Sequence, residues 1–151
     1  MARYILDSDI LDYLENQDSP FHVSCVDRFI RRMGEDFCLS ILTIYEMDYR
    51  IEAADKGLCA KLKKTKDKAL ENFSILPLTL AGSRNYGKLK AAYKSNFKAK
   101  PKAMRGYTVD IILAATALEH DAIVVSNDRL FSLLREIEPN LQVENWAGKS
   151  G

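Results

Sequence analysis

The chain has 151 residues, 47% apolar and 28% charged, a globular mixture that argues against disorder and suffices for one domain burying roughly 70% of its unfolded surface. No apolar run approaches the ~18 residues of a membrane span, and Asp7, Asp9 and Asp12 interrupt the region where a secretory core would lie, so neither a span nor a secretory signal is expected and the protein is expected to work in water. The net charge of +1 conceals a segregation: residues 61–109 carry 13 basic and 2 acidic side chains between acidic flanks, which points to cations held in one place and an anionic polymer contacted in another.

Arg3 to Leu6 ends in Tyr-Ile-Leu and predicts a first strand. Asp7-Ser8-Asp9 follow at a strand-to-helix corner, because Ile10, Leu11 and Leu14 then take up helical spacing. As a local feature, one of these corner residues is simply a helix cap. Phe21 to Met33 predicts an amphipathic helix with Val26, Phe29, Ile30 and Met33 inward, ended by Gly34. Phe37 to Ile41 predicts a second strand, and a long helical pattern with breaks runs from Thr43 at least to Leu70. Glu46 lies about one turn into it; facing outward it is a solvated carboxylate, facing inward it needs a partner such as a metal ion.

Ser74 to Leu78 predicts a third strand, placed at an edge by Pro77. Thr79 to Phe97 predicts another helix, weakened by Gly82 and Gly87. Along it and the loop after it run the candidate RNA-binding cations Lys88, Lys94, Lys98, Lys100, Lys102 and Arg105, with Arg84 and Lys90 among them. Tyr86, Tyr93, Phe97 and Tyr107 are interleaved. Cations meet phosphates and rings stack on bases, although the same rings serve equally well as core.

Asp110 opens an alanine-rich helix reaching His120, Ala122 to Val125 predicts a covered strand, and Asp128 sits just past its end. Arg129 to Ile137 predicts a short helix and Leu141 to Glu144 a last strand, with Trp146 capping the sheet end. One domain over residues 1–147 is expected, with 148–151 as a disordered tail that frays from Lys149. The three cysteines, Cys25, Cys38 and Cys59, share no metal-type spacing and read as small apolar residues of a reduced, cytoplasmic protein.

Alternating strands and helices give an α/β fold, a three-layer α/β/α sandwich with a mostly parallel sheet of four to five strands. Asp7 and Asp128 then stand at carboxyl ends of strands, with Glu46 and Asp110 near helix starts close by. Four carboxylates converging on one pocket repel one another unless a divalent cation compensates them. Oxygen donors suit magnesium or manganese, which polarise phosphates and acidify water. His22 and His120 lack companions for zinc, and no glycine-rich phosphate loop is present.

These residues carry a resemblance. The chain resembles PIN domains, most closely the VapC toxins of bacterial and archaeal toxin-antitoxin pairs, in Tyr-Ile-Leu-Asp7-Ser8-Asp9, Ile-Tyr-Glu46-Met, Asp110-Ile-Ile-Leu-Ala-Ala-Thr-Ala, Val-Val-Ser126-Asn127-Asp128 with Phe131, and Val-Glu-Asn-Trp146. The resemblance implies an endoribonuclease dependent on Mg2+ or Mn2+, hydrolysing RNA to 5'-phosphate and 3'-hydroxyl ends. By the same resemblance, Asp7, Glu46, Asp110 and Asp128 hold the metal, and Ser126 orients the site with Ser8 and Asp9 in support. It further implies a homodimer silenced by a VapB-like antitoxin. Three positions depart from the family pattern: Asp9 stands where Asn or Ser is commoner, Leu130 replaces an acid, and Arg50 replaces a small residue. Two other readings compete. One is a non-catalytic RNA- or protein-binding module on a PIN scaffold; the other is a haloacid-dehalogenase-like phosphatase with Asp7 as nucleophile, for which the chain is short and lacks the later paired acids.

Overall fold

The computed structural model describes residues 1–148. Five strands, β1 (Arg3–Leu6), β2 (Asp36–Ser40), β3 (Ser74–Leu76), β4 (Ile123–Val125) and β5 (Gln142–Glu144), form one sheet in the order β3-β2-β1-β4-β5 with every pairing parallel. Helices α1 (Ser8–Glu15), α2 (His22–Arg31), α3 (Ile41–Ala53), α4 (Lys56–Asn72), α5 (Leu80–Phe97), α6 (Pro101–Gly106), α7 (Thr108–Glu119) and α8 (Leu130–Ile137) connect them.

Successive strand residues point to opposite faces, so each strand feeds two cores. Tyr4 and Leu6 of β1, Phe37 and Leu39 of β2 and Val125 of β4 pack with α1 to α4, while Ile5, Cys38 and Val124 pack with α5, α7 and α8. The result is the expected three-layer sandwich. Helix α7 is buried at Ile111 and continuously from Leu113 to Ala117, which is why its sequence is apolar almost all round. Trp146 is fully buried, beside Tyr4, Phe29 and Phe37, with Arg32 over its ring and Glu144 accepting from its indole nitrogen at 3.2 Å.

The long helical pattern after β2 breaks as expected, into two helices interrupted at Ala54 and restarted by Asp55, whose side chain accepts from Leu58 N at 2.9 Å. Several other local expectations need correction. Helix α2 turns Cys25 fully inward, and Ile30 and Met33, expected inside, are 60% and 66% exposed. Only its Cys25 side is covered by the sheet layer. The segment expected as a loop after α5 contains α6, with Pro101 at its start and Lys98 in the left-handed conformation (φ 48°) turning the chain between the two helices. Gly148, placed in the expected tail, is held: its carbonyl accepts from Ser24 Oγ at 3.1 Å and from Arg28. The rest of that tail, 149–151, lies outside the described residues. Among the described residues all three cysteines are free, Cys25 and Cys38 buried, and no helix is long and apolar enough to cross a membrane.

Candidate active site

Strand order reverses between β1 and β4: the chain builds β1, β2 and β3 to one side, then crosses over to place β4 and β5 on the other. At such a point the loops leaving adjacent carboxyl ends diverge and leave a crevice, the usual ligand position in open α/β sheets. Asp7 stands there, one residue beyond β1, its N–H donating to Val125 O at 2.9 Å. Its carboxylate caps α1 by accepting from Ser8 N at 2.8 Å and also accepts from Ser126 Oγ at 2.8 Å. Ser126, 2% exposed, accepts in turn from Asp128 N at 3.0 Å, so one hydroxyl fixes both acid-bearing corners.

Asp9 fastens the same two corners from α1. Its Oδ1 accepts from Ile10 N at 2.7 Å and its Oδ2 from Asn127 N at 2.9 Å. Asn127, which sequence reasoning left without a role, extends the framework: its amide donates to Tyr13 at 3.3 Å and its carbonyl oxygen accepts from Asn145 Nδ2 at 2.9 Å. Its place between Ser126 and Asp128 was the available signal. Asp128 Oδ1 accepts from Leu130 N at 2.9 Å, which leaves its second oxygen free of the α8 turn. Leu130 is buried, so the position where the family often carries an acid here serves the core. Arg50 pairs with Asp12 at 3.4 Å on the surface and touches none of the crevice acids.

Electrostatics bind these acids into one unit. Burial, first, and then the charges of Asp7, Asp128 and Asp9 push Asp110, in the first turn of α7, from 3.8 to about 7. Burial and Asp7 push Asp9 to about 6 against the pull of its backbone hydrogen bonds. Burial also raises Asp7, with Ser126 and Ser8 opposing it and Asp128 adding to it. None of the four forms a salt bridge among the described residues. The crevice is therefore a concentration of negative charge in which, among the described residues, no basic side chain lies within salt-bridge distance of the acids.

The structure thus gathers Asp7, Asp9, Asp110 and Asp128, with Ser8 and Ser126. Glu46 is placed differently. Thr43, Ile44, Met47 and Ile51 form the buried stripe of α3, and Glu46 stands outside it in solvent, taking no part in the mutual repulsion of the aspartates. Among the described residues no three His, Cys, Asp or Glu side chains are drawn close enough to enclose an ion as they stand. The donors nevertheless fit magnesium or manganese in chemistry, since they are all carboxylate oxygens, and the raised pKa values of Asp7, Asp9 and Asp110 mark a place that favours added positive charge.

The basic segment divides. Lys94 and Arg105 line one groove between α5 and α6, together with Lys90. Lys88, about 200° around the helix from Lys90, faces a different cavity beside Leu118 and Glu138 and is not brought together with them. Lys98, Lys100 and Lys102 are exposed around the turn that joins the helices. The interleaved rings are mostly core: Tyr93 is 5% exposed and packs on Phe97 and Tyr107, and Tyr86 lies against the same core. Arg129, also missed, lies near enough to Tyr93 for its charge, like that of Asp128, to act on the phenol.

A parallel α/β sandwich with carboxylates gathered at its switch point is the class that the fold and site define. A model of the PIN domain matches residues 4–137, and the chain belongs to the PIN domain family. Comparison with curated protein sequences finds no significant match. Solved structures similar in fold include FitAB bound to IR36 DNA (19% identity, TM-score 0.79, covering 98% of each chain) and VapBC2 from Rickettsia felis bound to a promoter DNA fragment (19%, 0.72, 95% of this chain and 98% of that one). FitAcB from Neisseria gonorrhoeae is another (21%, 0.72, 95% and 97%). Family membership sets aside the haloacid-dehalogenase-like reading of Asp7.

Proposed function

We propose that the protein is a divalent-metal-dependent endoribonuclease, the VapC-like toxin of a toxin-antitoxin pair. The observation that carries this reading is the uncompensated set of aspartates at the switch point, with Asp110 raised to about 7 and Asp9 to about 6. Asp7, Asp110 and Asp128 are the residues to hold Mg2+ or Mn2+, with Glu46, the acid contributed by α3, kept in the set on the family resemblance. A bound ion of this kind supplies the positive charge that polarises a phosphodiester and acidifies the attacking water. Ser126 holds Asp7 and the backbone of Asp128 in register, and Asp9 fastens the β4–α8 loop by its bond from Asn127 N. Because Asp9 commits both oxygens to backbone N–H groups, it acts as a positioning residue.

The same reading includes a VapB-like antitoxin. The similar structures are complexes of the VapBC and FitAB type. An apolar groove of about 460 Å³, lined by Leu11, Leu14, Val26, Phe29, Met33 and Phe73, offers an amphipathic helix of such a partner a place to bury its face. Homodimerisation, cytoplasmic location and RNA contact by the basic segment belong to the proposal as well; exposed Leu78, Leu80 and Val109 supply apolar surface for a second copy. Incubation of the purified protein with RNA tests the enzyme: cleavage with Mg2+ or Mn2+, none in EDTA and none by Asp7→Ala supports it. RNA binding without cleavage under any divalent ion would instead identify a non-catalytic module.

A further inference from the structure

The most strongly basic part of the molecule is also a concave one. Helices α5 and α6 enclose a groove of about 430 Å³ whose walls include Lys90 and Lys94 from one helix and Arg105 from the other, over a floor of Gly87, Ala91 and Met104. Lys90 and Lys94 are one helical turn apart and share a face. None of the three cations forms a salt bridge among the described residues, and the sequence has no acid between Glu71 and Asp110. Lys90 is already positioned: its ammonium donates to Tyr86 OH at 2.7 Å and to Thr108 Oγ1 at 3.4 Å and lies 5.2 Å from the centre of the Tyr86 ring. Three cations lining one groove without a counter-charge repel one another, and the natural relief is a row of phosphates.

The groove belongs to the same side of the molecule as the acid crevice. Tyr93, buried on α5 about one turn from both Lys90 and Phe97, feels the charges of Asp128 and Arg129 and packs on Tyr107 with ring centres 5.5 Å apart. Tyr107 ends α6 and begins α7, whose first turn carries Asp110. The other lysine-rich helix, α4, packs through Ala69 on the opposite face of the sheet, and its Lys66 is already paired with Asp48 at 2.6 Å.

We propose that the α5–α6 groove is a phosphate-backbone site for single-stranded RNA, in which Lys94 and Arg105 hold the strand beside the bond to be cut and Lys90 supplies a prefixed third charge. The assignment of that strand as substrate rests on the nuclease reading; the binding itself does not. Because its lining residues include no aromatic ring on which a base could stack, the groove grips phosphates without reading bases. Selectivity among RNAs is then set elsewhere.

The test is fluorescence anisotropy of a short labelled single-stranded RNA in EDTA across a salt series, so that binding is measured with no cleavage. Lys94→Ala with Arg105→Ala is expected to weaken binding about tenfold and to flatten the plot of log affinity against log salt by about 1.4, two contacts at ~0.7 each. Lys63→Ala with Lys64→Ala on α4 is expected to leave both unchanged. Gly87→Glu guards against misfolding as an explanation: a side chain added at Gly87 meets nothing within 4 Å, and Glu is the better helix former, so the fold is kept while the groove receives a negative charge. It too is expected to weaken binding about tenfold, by blocking a site of this kind. Parental affinity and slope in Gly87→Glu, or equal losses in the α4 variant, would overturn the proposal. Failure of the parent to cleave RNA with metal present would count against the nuclease reading alone.

Discussion

The acid crevice and the basic groove are both crowded with like charges, but the chain treats them in opposite ways. In the crevice Asp7, Asp9 and Asp128 are tied by hydrogen bonds to backbone or Ser126; Asp7, Asp9 and Asp110 are half-buried and raised by burial and by their neighbours, and Asp128 stands exposed beside them as one of the charges that raise them. In the groove the cations sit on long side chains in solvent, with only Lys90 fastened. A charge held rigidly out of water costs free energy that a ligand can return, so the crevice is built for an ion held in fixed geometry. Mobile solvated charges cost little and attract a polymer of varied sequence. Substitutions in the two regions should therefore fail differently, one in chemistry and metal affinity, the other in RNA affinity and its salt dependence.

The largest effect is expected in the crevice. Asp110→Asn should lower metal-dependent RNA cleavage about a thousandfold, the loss of several kcal/mol of charge stabilisation, with RNA binding in EDTA retained or improved. Cleavage within a few fold of the parent would break the comparison. Ser126→Ala should cost about 10- to 100-fold in divalent-ion affinity or activity, because the hydroxyl orients Asp7 and Asp128 without touching substrate. A metal titration of cleavage distinguishes this from a loss of RNA binding. Glu46→Gln is expected to weaken metal affinity less than Asp110→Asn, since a solvated acid on α3 acts on an ion that keeps several of its waters.

A smaller effect concerns stability. Asp9 and Asp110 hold protons more tightly folded than unfolded, so the native state binds more protons between about pH 4 and 7, and metal-free stability falls as pH rises through that window. Thermal melts in EDTA should show a Tm lower at pH 8 than at pH 5, and the difference should shrink in Asp110→Asn. A rise in Tm over the same interval would contradict the assigned repulsion. Divalent ions should raise the Tm at pH 8.

Strand positions and the aspartates were legible in the sequence because both follow local rules. Short β-branched runs such as Ile123-Val124-Val125 mark covered strands, and an acid immediately after a strand marks a carboxyl-end corner. The parallel order places Asp7 and Asp128 side by side once β1 and β4 are neighbours. What could not be read depended on azimuth. Glu46 and Met47 differ by one residue, yet one is solvated and the other 5% exposed, because the rotation of α3 is set by its packing on the sheet. Lys88 and Lys94 likewise belong to one basic run and face different cavities. Asn127 and Asp9 meet across 118 positions through a backbone bond, which no side-chain pattern encodes.

Calorimetric titration of Mn2+ into the metal-free protein at pH 6, repeated in two buffers of different ionisation heat, bears most directly on the role of the crevice. With Asp110 raised to about 7 and Asp9 to about 6, ion binding should release protons to the buffer, and Asp110→Asn should both weaken binding and reduce that release. Binding that releases no protons and is indifferent to Asp110, or no binding at all, would contradict the assignment of the crevice as a metal site.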